Sequence, residues 1–239
     1  MKRTILYLCV ALFVLFVIQP NIGSATPKTN RTPDRDATVV RTNEDLIGRE
    51  CKSHATIAVD AARGGDDVGY NQNGQIPEKD LNLAIGKALG NELEKAGYKV
   101  IYTRDSDSFG TYDTRDAEGE ARVEKAKADK ADYLISVQLS SDTNPLTGGF
   151  CLFTQQDDKM IRCAEEIADG LSALNFSQFQ GIDSDHYANF PILRDRTIPC
   201  MALDLGYCSN PDEYTRLSDA AFQQKIAAVV ARSFLNTIN

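Results

Sequence analysis

Apolar positions along the chain change period several times, and each change marks an element. Ile57, Ala58 and Val59 form a short apolar run that ends on Asp60, with Gly64–Gly65 close behind. A buried strand that delivers polar side chains to a loop at its C-terminal end reads this way. Glu78 then opens a helical pattern through Leu81, Ile85, Leu89, Leu93 and Ala96, and Gly97 suits its C-terminal cap. Tyr98–Thr103 predicts a second strand, Arg104–Asp113 a polar loop, and Arg115–Lys130 a charged helix. Further strands are expected at Tyr133–Gln138, Phe150–Thr154, Pro191–Arg194 and Cys200–Gly206. Asp157–Leu174 and Ala220–Leu235 complete the predicted helices, and the stretch from Leu174 to Phe190 reads as polar and irregular. Strands alternating with amphipathic helices predict an α/β fold, a single three-layer domain with a twisted, mostly parallel six-strand sheet and helices on both faces. In open sheets of this kind ligands bind outside the carboxyl ends of the strands. Arg63 falls at such a point.

Ahead of this domain the pattern is different. Lys2 and Arg3 precede an unbroken apolar run from Ile5 to Ile18, followed by Pro20 and the small residues Gly23, Ser24 and Ala25. The run is short for a membrane span, which needs about 20 apolar residues, so residues 1–25 read as a secretory signal peptide, with an uncleaved anchor as the alternative. Residues 26–52 are rich in Thr, Asn, Pro, Asp and Arg and predict a flexible linker to a domain at 53–239. The protein is therefore expected outside the membrane, extracellular or periplasmic, touching it only through the N-terminal segment if that segment is uncleaved.

Composition narrows the partners. The 239 residues carry a formal net charge of −8, and loss of Lys2 and Arg3 would make the mature chain more acidic. No basic stripe is present, which argues against nucleic acid. Five cysteines follow the leader: Cys51, Cys151, Cys163, Cys200 and Cys208. An odd number leaves at least one over. An extended strand between Cys200 and Cys208 would hold them about 25 Å apart, too far to bridge.

Once the elements are placed, five segments resemble the zinc-dependent N-acetylmuramoyl-L-alanine amidases of cell-wall metabolism. Where those open with D-P-G-H-G-G, Asp60 to Gly65 reads D-A-A-R-G-G. Glu78-Lys79 and Leu81–Leu83 match the start of their first helix, and Gly97 through Thr103-Arg104 matches a G-x-x-V-x-x-T-R strand. Ala131 to Ser140, A-D-Y-L-I-S-V-Q-L-S, stands for A-D-x-x-I-S-I-H-x-N. Pro199 to Asn210, P-C-M-A-L-D-L-G-Y-C-S-N, stands for P-x-x-L-x-E-x-G-F-x-S-N. The resemblance runs in order from Thr56 to the C-terminus and implies the same six-strand fold.

It also implies a zinc site, and there the chain departs. The family's three zinc ligands, His, Glu and His, fall on Arg63, Glu78 and Gln138, and the catalytic Glu falls on Asp204. Arginine has no lone pair to give and stays protonated in proteins. Gln138 offers only a carbonyl oxygen, and Asp204 is one methylene short. No bound metal is therefore expected. Of the two histidines, His54 faces the wrong end of the first strand, and His186 sits in an irregular stretch from which it would have to fold over the site. Arg63 is expected to stand electrostatically for the metal, pairing with Glu78 and with Asp204 as a second candidate. The alternative puts Arg63 in solvent and leaves Glu78 as a helix cap. Arg104, Asp105 and Asp107 are expected to shape the loop and Arg122 to form a structural ion pair, while Lys127 stands where the family has Asn. Aromatic residues from Tyr187 to Phe190 are placed either in a groove or in the core.

The functional expectation is a catalytically inactive amidase-like domain that binds a peptidoglycan fragment or regulates a cell-wall protein partner. Two alternatives stand beside it: an active zinc amidase with non-standard ligands, and a protein–protein module whose cleft has closed.

Overall fold

The computed structural model describes residues 55–72, 74–184 and 190–238. The leader and linker assigned above, together with Cys51, His54, His186 and Tyr187, lie outside the described residues.

Six strands form one sheet: β1 (Thr56–Ala61), β2 (Lys99–Tyr102), β3 (Tyr133–Ser140), β4 (Phe150–Thr154), β5 (Phe179–Asp183) and β6 (Cys200–Tyr207). Their order is β2-β1-β3-β6-β4-β5. The first four of that order run parallel, β4 lies antiparallel to β6, and β5 is parallel to β4. The sheet is mixed and mostly parallel.

Side chains alternate across it, as the two-residue period of a strand requires. Ile57, Val59, Ile135, Val137, Met201 and Leu203 face one core layer. That layer is covered by α1 (Glu78–Lys95), α3 (Asp158–Ser172) and α6 (Ala220–Thr237). Ala58, Leu134, Cys200 and Ala202 face the other layer, against α2 (Arg115–Ala128) and α4 (Pro191–Arg194). Leucine, isoleucine and phenylalanine side chains buried this fully contribute about 1.5–3 kcal/mol each, so the parallel strands, buried on both faces, hold the sheet together. A last short helix, α5 (Pro211–Leu217), follows β6 and was not anticipated. Asn210 caps it through the amides of Asp212 and Glu213, and Pro211 takes the first helical position.

The fifth strand differs from expectation. Pro191–Arg194 is a four-residue helix, not a strand. Proline at its first position lacks the N–H a strand ladder needs and has its φ already set for a helix. The strand lies instead at Phe179–Asp183, inside the stretch read as irregular. β5 is a sheet edge whose first two residues are exposed, so no alternation of apolar and polar positions announces it. Elsewhere the bounds differ by a residue or two at either end, as at β3, which continues to Ser140.

Asp60, Gln138 and Asp204 belong to the same face of the sheet at its C-terminal end. Asp60 pairs in register with Ser136, and Gln138 with Asp204. Since Ala58 and Leu134 face α2, so do the residues two and four positions on.

Candidate active site and its relatives

After Ala61 the chain leaves the sheet in a tight loop. Arg63, Gly64 and Gly65 all have positive φ, at 67°, 134° and 56°. A Cβ on Gly64 would stand 2.9 Å from Nε of Arg104, so glycine there lets that guanidinium reach the loop. Arg104 is buried and donates to the carbonyls of Ala61, Ala62, Lys79 and Ser106. Asp107 accepts from Lys79 Nζ at 2.8 Å and from the Gly65 amide at 3.3 Å. Arg104 and Asp107 thus shape the loop as expected, whereas Asp105 is exposed.

Beneath the loop lies a buried ion pair. Arg122 of α2 donates from Nη1 to Asp60 Oδ1 at 2.7 Å and to the Ala61 carbonyl at 2.9 Å. Its Nη2 reaches the Arg63 carbonyl at 2.7 Å and also Glu118. The guanidinium stacks 3.9 Å from the Phe109 ring centroid. Ser136 Oγ donates to Asp60 Oδ2 at 2.6 Å, and Thr103 donates to Oδ1. Burial pushes the Asp60 carboxyl up, but Arg122, Ser136 and Thr103 together outweigh it and hold it below the usual range.

Arg63 sits on this platform with its side chain turned inward. Nε donates to Glu78 Oε1 at 2.8 Å and Nη1 to Asp67 Oδ2 at 3.1 Å. The second oxygen of Glu78 accepts the Tyr70 amide at 2.8 Å. Glu78 is 1% exposed, and a Cβ on Gly69, whose φ is 64°, would come within 2.5 Å of Oε2. Both carboxylate oxygens of Glu78 are therefore engaged. Asp67 and Tyr70 were not singled out from the sequence, since nothing in G-D-D-V-G-Y marks which acid turns inward.

Asp204 stands apart from this set. Its Oδ2 accepts from Ser140 Oγ at 2.5 Å, and the Gly206 amide approaches Oδ1 at 3.5 Å. The expected second partner of Arg63 is Asp67 instead, four residues along the same loop. Burial pushes the Asp204 carboxyl up to about 6 against those two hydrogen bonds, and the charges of Glu78 and Glu213 add to the rise. Gln138 Nε2 points to Ser136 Oγ at 3.3 Å. Among the described residues no three His, Cys, Asp or Glu side chains converge as a metal-binding group. The four described cysteines, Cys151, Cys163, Cys200 and Cys208, are free thiols. Lys127 pairs with Glu124 and Asp195.

A cavity of about 290 Å³ opens over Arg63, Glu78 and Gln138, with Arg115 on one side and Phe190, Pro191 and Ile192 on another. Phe190 also stacks on Phe153 at 4.1 Å between ring centroids, so it serves both groove and core.

Residues 57–236 match the family described as N-acetylmuramoyl-L-alanine amidase. The chain belongs to that amidase family. Among curated relatives, the amidase domain is 28% identical over 193 residues to the probable cell wall amidase LytH of Staphylococcus aureus, covering 77% of this chain and 60% of that protein. It is 24% identical to the N-acetylmuramoyl-L-alanine amidase AmiC of Neisseria meningitidis, covering 91% of this chain and again 60% of the relative. The chain thus spans about three-fifths of each. Among solved structures, the amidase AmiC2 of Nostoc punctiforme gives a TM-score of 0.66 at 26% identity, over 77% of this chain and 97% of that one. The CwlD amidase of Clostridioides difficile, solved in complex with the GerS lipoprotein, gives 0.64 at 26% identity, over 77% and 98%. The amidase domain shares their α/β fold, and its family is zinc-dependent.

Proposed function

We propose that this amidase-fold domain no longer hydrolyses its family's substrate and instead binds peptidoglycan fragments or a cell-wall protein outside the membrane. The state of Glu78 carries this reading. A catalytic zinc needs three lone-pair donors and an open position for water. Of the positions that the resemblance assigns to ligands, Arg63 offers only N–H groups and occupies one oxygen of Glu78, while the Tyr70 amide occupies the other. Gln138 brings an amide in place of imidazole, with its nitrogen turned to Ser136. These residues do not fit a zinc ion. A fixed guanidinium 2.8 Å from the one remaining ligand also repels any divalent cation approaching it.

Cell-wall names among the relatives support an extracellular or periplasmic place of action, and the lipoprotein complex of CwlD supports a protein partner as the second route. Among the described residues no helix is long and apolar enough to cross a membrane. The test is to incubate the purified chain with peptidoglycan in zinc-containing buffer, with and without chelator. The expected result is saturable retention on the polymer, no released stem peptides and substoichiometric zinc. Stem release that chelator abolishes would overturn it.

A further inference from the structure

We infer that the cavity beside Arg63 is a receptor for a free carboxylate, held by Arg115 and by the uncommitted nitrogen of Arg63. The inference deepens the non-hydrolytic reading above and rests on it.

The charged groups around the cavity divide into those that have a partner and those that do not. The acids are all engaged. Asp60 is held by Arg122, Ser136 and Thr103, and Glu118 by Arg122. Asp67 and Glu78 hold Arg63. Asp116 is held by two nitrogens of Arg194, at 2.6 and 3.2 Å. Arg63 uses Nε and Nη1 in this way, and its Nη2 makes no hydrogen bond among the described residues. Arg115 lines the same cavity, is exposed, and has neither hydrogen bond nor ion pair among the described residues. Its charge is nonetheless close enough to join Arg63 and the Gly69 amide in drawing the Asp67 carboxyl down against the upward push of burial. Gln138 keeps its carbonyl oxygen free as an acceptor.

The open groups are thus two guanidinium donors and one neutral acceptor, beside a wall formed by Phe190, Pro191 and Ile192. Guanidinium forks match planar carboxylates, and the pairing gains strength from both charges. A dianion such as phosphate would carry its second charge towards Asp67 and Glu78, so a monoanion fits better. The Gln138 oxygen suits an N–H or hydroxyl next to that carboxylate, and the volume lies near the lower end of small-ligand sites.

Two sources supply this chemistry in the polymer the family acts on. Hydrolysis of an N-acetylmuramoyl-L-alanine amide leaves a free lactyl carboxylate on the sugar, and peptides carry carboxylates of their own. On the first source, the upstream reaction is the amide hydrolysis that active family members perform. This domain would then read their product.

The experiment is calorimetric titration of the full chain with N-acetylmuramic acid, N-acetylmuramoyl-L-alanine and the neutral N-acetylmuramoyl-L-alaninamide. The two acids should bind saturably, more weakly as salt is raised, and the amide at least roughly tenfold more weakly. Arg115→Gln should weaken the acids roughly tenfold, leave the amide unchanged and leave the melting temperature in place, because Arg115 is exposed. Tighter binding of N-acetylmuramic acid assigns the lactyl carboxylate as the source, and tighter binding of N-acetylmuramoyl-L-alanine assigns the peptide. Equal binding of amide and acids, or acids indifferent to Arg115→Gln, overturns the carboxylate receptor and leaves the non-hydrolytic reading standing. So does retention on intact peptidoglycan without binding of any of the three. Stem release by the chain defeats the underlying reading itself.

Discussion

The Nε of Arg63 donates to Oε1 of Glu78 at 2.8 Å, while the other oxygen of that carboxylate accepts the Tyr70 amide at the same distance. Both oxygens of Glu78 are thereby engaged, and the residue itself is buried. Its charge is balanced by a side chain of the loop that leads from β1 into α1.

Removing the guanidinium should expose the cost of that arrangement. Arg63→Met leaves a buried carboxylate with one neutral donor, and breaking one half of a buried pair costs about 3–5 kcal/mol. Arg63 is 19% exposed at the side chain, so solvent recovers part of this and about 2–3 kcal/mol is expected. Urea denaturation compares the two proteins directly. A loss below about 0.5 kcal/mol, the scatter of ordinary surface changes, would show that Glu78 does not depend on Arg63.

Asp60→Asn should be the more damaging change. Asn cannot balance Arg122, whose guanidinium is buried and fixes the Ala61 and Arg63 carbonyls as well. A loss of about 3–5 kcal/mol is expected. Since the folded carboxyl of Asp60 is held below its unfolded value, its contribution is complete above the unfolded pKa and disappears as pH falls through the folded one. Wild type and Asp60→Asn should therefore differ in thermal stability at neutral pH and converge in strong acid. A constant difference down to about pH 2, well below the unfolded carboxyl value, would refute the ion-pair account.

Asp204 predicts the reverse sign. Its folded value of about 6 lies above the unfolded value, so the fold binds the proton more tightly and loses stability as pH rises between the two. A gap of about two pKa units corresponds to at most about 3 kcal/mol, and solvent screening reduces this to roughly 1–2. Asp204→Asn keeps an acceptor for Ser140 and carries no charge. It should melt higher than wild type at pH 7.5 and match it only at about pH 3, below the unfolded carboxyl value. A variant less stable than wild type at pH 7.5 would mean that the Asp204 carboxylate is compensated in a way these contacts do not reveal.

Much of this architecture was legible because burial leaves a period in the sequence. β1, β3 and β6 are apolar on both faces, and α1, α3 and α6 carry their apolar residues at helical spacing. β5 left no such mark, being an edge whose Phe179 and Gln180 are exposed, and Pro191–Arg194 resembled a strand because Ile192 and Leu193 are buried as a pair. Motif spacing brought Arg63, Glu78, Gln138 and Asp204 to one end of the sheet. It could not say which carboxylate Arg63 would choose. That choice belongs to loop geometry, in which Asp67 lies four residues on and Asp204 is already bound by Ser140. Asp67 and Asp66 are neighbours in an acidic run, and only the fold separates their roles.

The loop also sets what would be needed to bring a metal in. Arg63 has a φ of 67°, a region that histidine tolerates better than most side chains. The backbone at that position can therefore accept imidazole without rebuilding. Arg63→His frees one oxygen of Glu78 and removes the charge that repels a cation, and Gln138→His brings a second imidazole beside the third position. Asp204→Glu restores the methylene the family's catalytic carboxylate has. The triple variant should bind one zinc per chain, measured by elemental analysis after dialysis, while the wild-type chain under the same conditions does not. Arg63→His alone should bind more weakly than the triple variant, because two lone-pair donors and an amide hold zinc less firmly than three. A triple variant that folds, as judged by its circular dichroism and melting, yet takes up no zinc would show that the Tyr70 amide and the packing of Gly69 against Glu78 have fixed the carboxylate in a pose no metal can use.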